Sequence, residues 1–177
     1  GVLIASGRID RLVFRGDALP HDATVIDLGP TATLMPGFID VHTHGGWGQR
    51  YVDGPRAARE ILTRRAESGC TGILMTVGNY GLVAKPGDGP KAWADAMCEW
   101  LPGLAEVVGT STGGARALGF HIEGPWLNWD AWVAWGAREA SGRSAILPEW
   151  DDFARLQHAA AGAIRLVSAA PEFPGAL

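Results

Sequence analysis

The spacing of apolar positions along the chain changes character near residue 36. Before it, Arg8-Ile9-Asp10-Arg11-Leu12-Val13-Phe14 and Ala23-Thr24-Val25-Ile26-Asp27 are short β-rich runs, separated by Gly16-Asp17 and by Pro20-His21-Asp22. They predict small strands joined by turns. After it, Gly37-Phe38-Ile39-Asp40-Val41-His42 is a mostly apolar run, the pattern of a strand buried on both faces. Ala58, Ile61, Leu62 and Ala66 then recur at helical spacing, which predicts a helix over 55–68.

The alternation continues. Residues 71–77 read as a strand. Trp93, Met97, Leu101, Leu104 and Val108 step by three or four like one helix face, with Pro102-Gly103 expected to break that helix. The Gly-Thr-Ser-Thr-Gly-Gly stretch at 109–114 reads as a loop ahead of a third strand over 117–122. Pro148 opens a helix bearing Trp150, Phe153, Leu156 and Ala160, and residues 164–168 form a fourth strand. Strand and helix alternating in this way predict parallel βαβ units. A doubly wound sheet and a (β/α)₈ barrel both satisfy the pattern, and periodicity does not choose between them.

Composition narrows the class. At 177 residues the length suits one domain or a piece of a larger one, and 47% hydrophobic against 19% charged residues marks a globular chain. A formal net charge of −4 gives no electrostatic reason for a nucleic-acid partner. Every apolar run is cut by Gly, Pro or charge well short of the ~20 residues a membrane span needs, so no membrane partner is expected. Cys70 and Cys98 have no CxxC-type spacing and read as structural thiols. Gly1-Val2-Leu3-Ile4 has no signal-peptide character, which makes the cytoplasm the expected location.

The chemistry concentrates at two strand ends. Positions i and i+2 of a strand point to one side, so His42 and His44 would face a common space where the first long strand gives way to Gly45-Gly46-Trp47-Gly48. Strand C-terminal ends are where barrels and open α/β sheets place their active sites. Two converging imidazoles form half of a metal site, and two polar residues at a loop mouth are the alternative. Glu123 follows Phe120-His121-Ile122 at another strand end. A carboxylate there can ligate a divalent metal or stand as a solvated loop residue. His121 shares its side of the strand, as a pocket residue or as a satisfied core histidine.

The stretch Leu34-Met35-Pro36-Gly37-Phe38-Ile39-Asp40-Val41-His42-Thr43-His44-Gly45-Gly46 resembles the first barrel strand of the amidohydrolase superfamily. Gly69-Cys70-Thr71-Gly72-Ile73-Leu74-Met75-Thr76, Gly119-Phe120-His121-Ile122-Glu123-Gly124-Pro125-Trp126-Leu127-Asn128 and Arg165-Leu166-Val167-Ser168-Ala169-Ala170-Pro171-Glu172 are similar to the N-acetylglucosamine-6-phosphate deacetylases, in the right order. The resemblance implies an α/β fold of the metal-dependent hydrolase type, a (β/α)₈ TIM barrel. Residues 1–35 would contribute strands of a small β-sandwich, and 36–177 the first half of the catalytic barrel, about four βα units.

It further implies that Glu123 is the central metal ligand and that His42 and His44 hold a second metal. One or two divalent ions are expected, with Zn, Fe and Mn all compatible. His121 and Asp40 are expected beside these ligands rather than on the metal. The implied reaction is hydrolysis of the acetamide of a phosphorylated N-acetyl amino sugar, with a homodimer as the implied assembly of a full-length protein.

Two departures from the family pattern stand out. Its two further metal histidines and its proton-shuttling aspartate lie on later strands, so no catalytic residue is assigned within this chain; it is expected to be a fragment, inactive alone. And where the family carries Gly-Ala-His or Gly-Thr-His lining the sugar pocket, this sequence has Gly136-Ala137-Arg138. Ala137 and Arg138 are expected at the substrate. An obligate cation in place of a neutral imidazole points to an altered N-acyl substrate. Trp126, Trp129, Trp132 and Trp135 recur every third residue, as a helical stripe packed on the barrel or an aromatic wall over a sugar. Two other readings stay open: a dihydroorotase-like or N-acyl-amino-acid hydrolase, which the Glu123 segment argues against, and a non-catalytic half-barrel acting by association.

Overall fold

The structure is a computed structural model that describes residues 1–78, 90–124, 126–128 and 149–172. The chain divides into two compact units, Gly1–Pro36 and Gly37–Leu177.

The first unit contains an antiparallel hairpin of β1 (Val2–Ala5) and β2 (Arg8–Leu12). Ser6 and Gly7 both take positive φ, 49° and 72°, the geometry of the tight turns whose twist matches that of paired strands. No side chain of this unit is fully buried. The strand predicted over Ala23–Asp27 does not form: among the described residues no strand pairs with it, and its β-branched side chains Val25 and Ile26 are exposed. β propensity expresses itself through neighbours on a pleated surface, and here there are none.

The second unit is an α/β fold on a parallel sheet ordered β3-β6-β7-β8: β3 (Phe38–Thr43), β6 (Cys70–Val77), β7 (Arg116–Glu123) and β8 (Ile164–Ser168). All three pairings are parallel. Between β3 and β6 lie a minimal hairpin, β4 (Gly45–Gly46) with β5 (Gln49–Arg50), and α1 (Pro55–Arg65). Pro55 sits at the start of α1, where its missing N–H costs nothing. Gly69, left-handed at φ 77°, turns the chain from the helix into β6. α2 (Pro90–Ala105) precedes β7, and α3 (Trp150–Ala159) precedes β8.

The core lies under the two central strands. Ile73, Met75, Phe120 and Ile122 from the sheet meet Ile61 and Leu62 of α1, Trp93, Met97, Leu101 and Leu104 of α2, and Leu156 of α3. Two expectations need correction here. β3 is not buried on both faces: it is an edge strand with Phe38 58%, Ile39 64% and Val41 49% exposed. Among the described residues β3 pairs with β6 alone. And Pro102-Gly103 does not break the second helix, which runs through both residues to Ala105. Pro102 lies on the exposed side, while Met97, Leu101 and Leu104 on the other are buried to within one per cent. Packing of that face outweighs one lost backbone bond. Among the described residues no helix is long and apolar enough to cross a membrane.

Candidate metal centre

The C-terminal ends of β3 and β7 bring His42, His44 and Glu123 together. His42 belongs to β3, whereas His44 lies one residue past its last position, so the simple alternation expected of a strand does not carry both rings. The register of β3 against β6 is irregular between Asp40 and Thr43, and the backbone then bends into the β4–β5 hairpin. Gly45 makes that bend. Its φ is 146°, and a Cβ there would lie 2.2 Å from the Gln49 carbonyl oxygen, which no other residue tolerates.

The rings converge regardless. His44 Nε2 lies 2.9 Å from Glu123 Oε2, and His42 Nε2 lies 3.3 Å from Glu123 Oε1, so each carboxylate oxygen faces one imidazole. One ligand atom from each residue fits within 4.8 Å of the others, and among the described residues this is the one such grouping of three. The Glu123 carboxyl is held below its ordinary range. The hydrogen bond from His44 is the largest cause, opposed by burial and aided by the charge of both histidines.

His121 stands behind this cluster, almost fully buried, with the His42 ring edge-on at 4.7 Å. Its Nδ1 lies 3.3 Å from the Thr76 hydroxyl and its Nε2 2.7 Å from the Ser168 hydroxyl. Thr76 Oγ1 also accepts the backbone N–H of Thr43 at 2.9 Å. This chain of bonds ties the ends of β3, β6, β7 and β8 together directly below the three donors. Burial is the main cause that pushes His121 to a lower pKa, with the His42 charge next, so the ring is held neutral. Asp40 contacts neither imidazole: its carboxylate accepts the backbone N–H of His42 at 3.1 Å and lies 3.8 Å from Arg65.

The other expected residues divide simply. Ala137, Arg138, Trp129, Trp132 and Trp135 lie outside the described residues, as does Pro148. Trp126 is buried in the core, edge-on to Trp93 at 5.9 Å. His21 and His158 are exposed. Cys70 is buried, Cys98 is partly buried, and both are free thiols. Sequence reading assigned no role to Thr76, Ser168 or Arg65. The two hydroxyls stand at strand ends beside His121, a position the parallel register would have flagged. Nothing in the sequence distinguishes Arg65 from the other basic residues of its helix.

The site thus stands on a parallel α/β sheet, with two imidazoles and a carboxylate gathered at its strand ends. No family model matches the chain. In sequence it is 33% identical over 143 residues to the N-acetylglucosamine-6-phosphate deacetylase of Bacillus subtilis, a match covering 80% of this chain and 32% of that protein. It is 31% identical over 105 residues to the same-named protein of Vibrio furnissii, covering 59% and 23%. In structure it is similar to N-acetyl-D-glucosamine-6-phosphate deacetylase of Mycobacterium smegmatis. A mutant of that protein in complex with N-acetyl-D-glucosamine-6-phosphate superposes with a TM-score of 0.58 over 84% of this chain and 36% of the other. A second structure of it gives 0.57 over 84% and 39%. Both are 24% identical to this chain, which establishes the fold. In sequence the chain matches part of the N-acetylglucosamine-6-phosphate deacetylases, and it spans about a third of the length of the curated Bacillus relative it matches.

Proposed function

We propose that this chain forms the metal-holding first half of a (β/α)₈ deacetylase barrel, acting on the acetamide of a phosphorylated N-acetyl amino sugar. In this reading residues 1–35 belong to a small β-sandwich, and 36–177 supply the first four barrel strands. The observation that carries it is Glu123, whose two oxygens each face one histidine Nε2 at the C-terminal ends of β7 and β3, with β6 between them.

The residues suit a divalent cation. The donor set is two imidazoles and one carboxylate held ionised, which zinc, iron and manganese all accept. His42 and His44 are half exposed, so the donors are reachable from solvent. A divalent cation held there supplies Lewis acidity, polarising an amide carbonyl and acidifying water. The chain's own residues do the holding. Glu123 contributes the negative charge, His42 and His44 the ring nitrogens, and neutral His121 backs the His42 ring. The group that moves the proton belongs to strands outside these four.

The relatives named above are N-acetylglucosamine-6-phosphate deacetylases, which supports that phosphosugar as the substrate. Acetate release from N-acetylglucosamine 6-phosphate by the complete coding product tests the reading. Activity that survives Glu123→Gln would sink it, and so would acetate release from N-acyl amino acids in preference to the phosphosugar.

A further inference from the structure

Arg65, the last residue of α1, reaches back from the helix to the segment that carries both histidines. Its Nη2 donates to Thr43 Oγ1 at 2.7 Å and to the Gly45 carbonyl at 2.9 Å. The Thr43 hydroxyl itself donates to the same carbonyl at 3.2 Å, closing a three-cornered set of bonds. Nη1 faces the Asp40 carboxylate at 3.8 Å, and Asp40 in turn accepts the His42 backbone N–H. On its other side the guanidinium lies 5.5 Å from the centroid of the Trp47 ring, at the tip of the hairpin that follows His44. One planar group thus touches positions 40, 43, 45 and 47. These alternate with the two histidines and flank them.

The contacts are specific to a guanidinium. Nη2 reaches an acceptor on each side of His44 while Nη1, fixed in the same plane, faces Asp40, a pair of placements that one ammonium nitrogen does not supply. The Arg65 side chain is three-quarters buried, and its Nε is buried with no hydrogen-bond partner among the described residues. An arginine serving only to cap a helix end would extend into water and avoid that cost.

We propose that Arg65 is the positioning residue of the cation site: by fixing the backbone on both sides of His44 it sets the angle at which His42 and His44 meet Glu123. This rests on the reading that those three residues hold the cation.

Cobalt(II) titration of the 177-residue chain, followed by visible absorption, tests it. The absorption reports the geometry around the ion, which a general loss of helix stability would not shift. The unsubstituted chain binds Co²⁺ with a defined band. Arg65→Lys keeps the charge but loses the planar fork. It weakens the Kd by about ten- to a hundredfold, the usual consequence of removing a group that orients metal ligands, and displaces the band. Arg65→Met weakens binding at least as much. Thr43→Ser, which keeps the hydroxyl that Arg65 donates to, retains the unsubstituted band. Should Arg65→Met fail to fold by circular dichroism, Arg65→Lys alone decides. An Arg65→Lys chain with an unchanged Kd and an unchanged band overturns the proposal. If the unsubstituted chain itself takes up no Co²⁺, the assignment of the three ligands fails, and the positioning role falls with it.

Discussion

Thr43 and Thr76 are joined by a hydrogen bond from the backbone N–H of the first to the hydroxyl of the second, at 2.9 Å across 33 residues of sequence. It stands where the ladder between β3 and β6 loses its register, so a side chain takes over from the missing backbone acceptor. The same hydroxyl is within reach of His121 Nδ1. Thr76→Val therefore strands a buried N–H and a buried ring nitrogen together. The expected cost is about 1–3 kcal/mol, read from urea denaturation of the metal-free protein, while Thr76→Ser stays close to the unsubstituted value. A Val variant as stable as the parent would show that the bond contributes nothing.

Glu123 is the one anionic donor of the three, and Glu123→Gln removes its charge while leaving its shape. Loss of divalent-metal affinity on the order of a hundredfold or more is expected, exceeding the ten- to hundredfold typical of groups one step removed from the metal. Imidazole ligates only in its unprotonated form, so affinity in the parent falls as the pH is lowered and binding at acidic pH releases protons. Titration calorimetry in two buffers of different ionisation enthalpy measures both. Proton release of zero at acidic pH would exclude the imidazoles as ligands.

Tyr51 is fully buried, and its hydroxyl has no hydrogen-bond partner among the described residues. Burial, the dominant cause, drives its pKa far above the ordinary 10.0, with Arg65 opposing and Asp40 reinforcing. A folded-state pKa above the unfolded one leaves stability intact below pH 10 and erodes it as the pH rises beyond, because the unfolded chain releases the proton first. Tyr51→Phe is expected to match or exceed the parent at neutral pH by up to about 1 kcal/mol, and to lose less stability between pH 10 and 11. A Phe variant clearly weaker at pH 7 would mean that the hydroxyl is bonded through an ordered water.

In α2, Gly103 sits in a continuous helix beside Pro102, and a Cβ added there meets only Pro55 Cγ, at 3.8 Å. That is ordinary contact distance. Gly103→Ala should raise stability by about 0.5–1 kcal/mol, the helix-propensity difference between the two residues. Thermal unfolding checks it, and a lower Tm would show that the Pro-Gly step needs the glycine's freedom.

The legible parts of this protein were those governed by a single period or a single motif. The four strands of the parallel sheet and the helix beginning at Pro55 follow from apolar spacing, and His42, His44 and Glu123 from their places at strand ends. What escaped depends on neighbours far away in sequence. The edge position of β3 makes Phe38, Ile39 and Val41 exposed, although their run reads as that of a buried strand. The isolated run at 23–27 has β propensity without a partner. The helix through Pro102 survives because its other face is packed, a tertiary effect that a local rule about proline does not contain. Arg65 escaped for the same reason: its meaning lies in Thr43, Gly45 and Asp40, some twenty residues upstream.

The central claim is that His42, His44 and Glu123 bind one divalent cation together. X-ray absorption at the zinc edge of the zinc-loaded chain tests it most directly. The account predicts a first shell of nitrogen and oxygen at about 2.0–2.1 Å, with the outer-shell scattering of two imidazoles that disappears in the His42→Ala, His44→Ala double variant. A first shell without imidazole scattering, or an unchanged spectrum in the double variant, would contradict it.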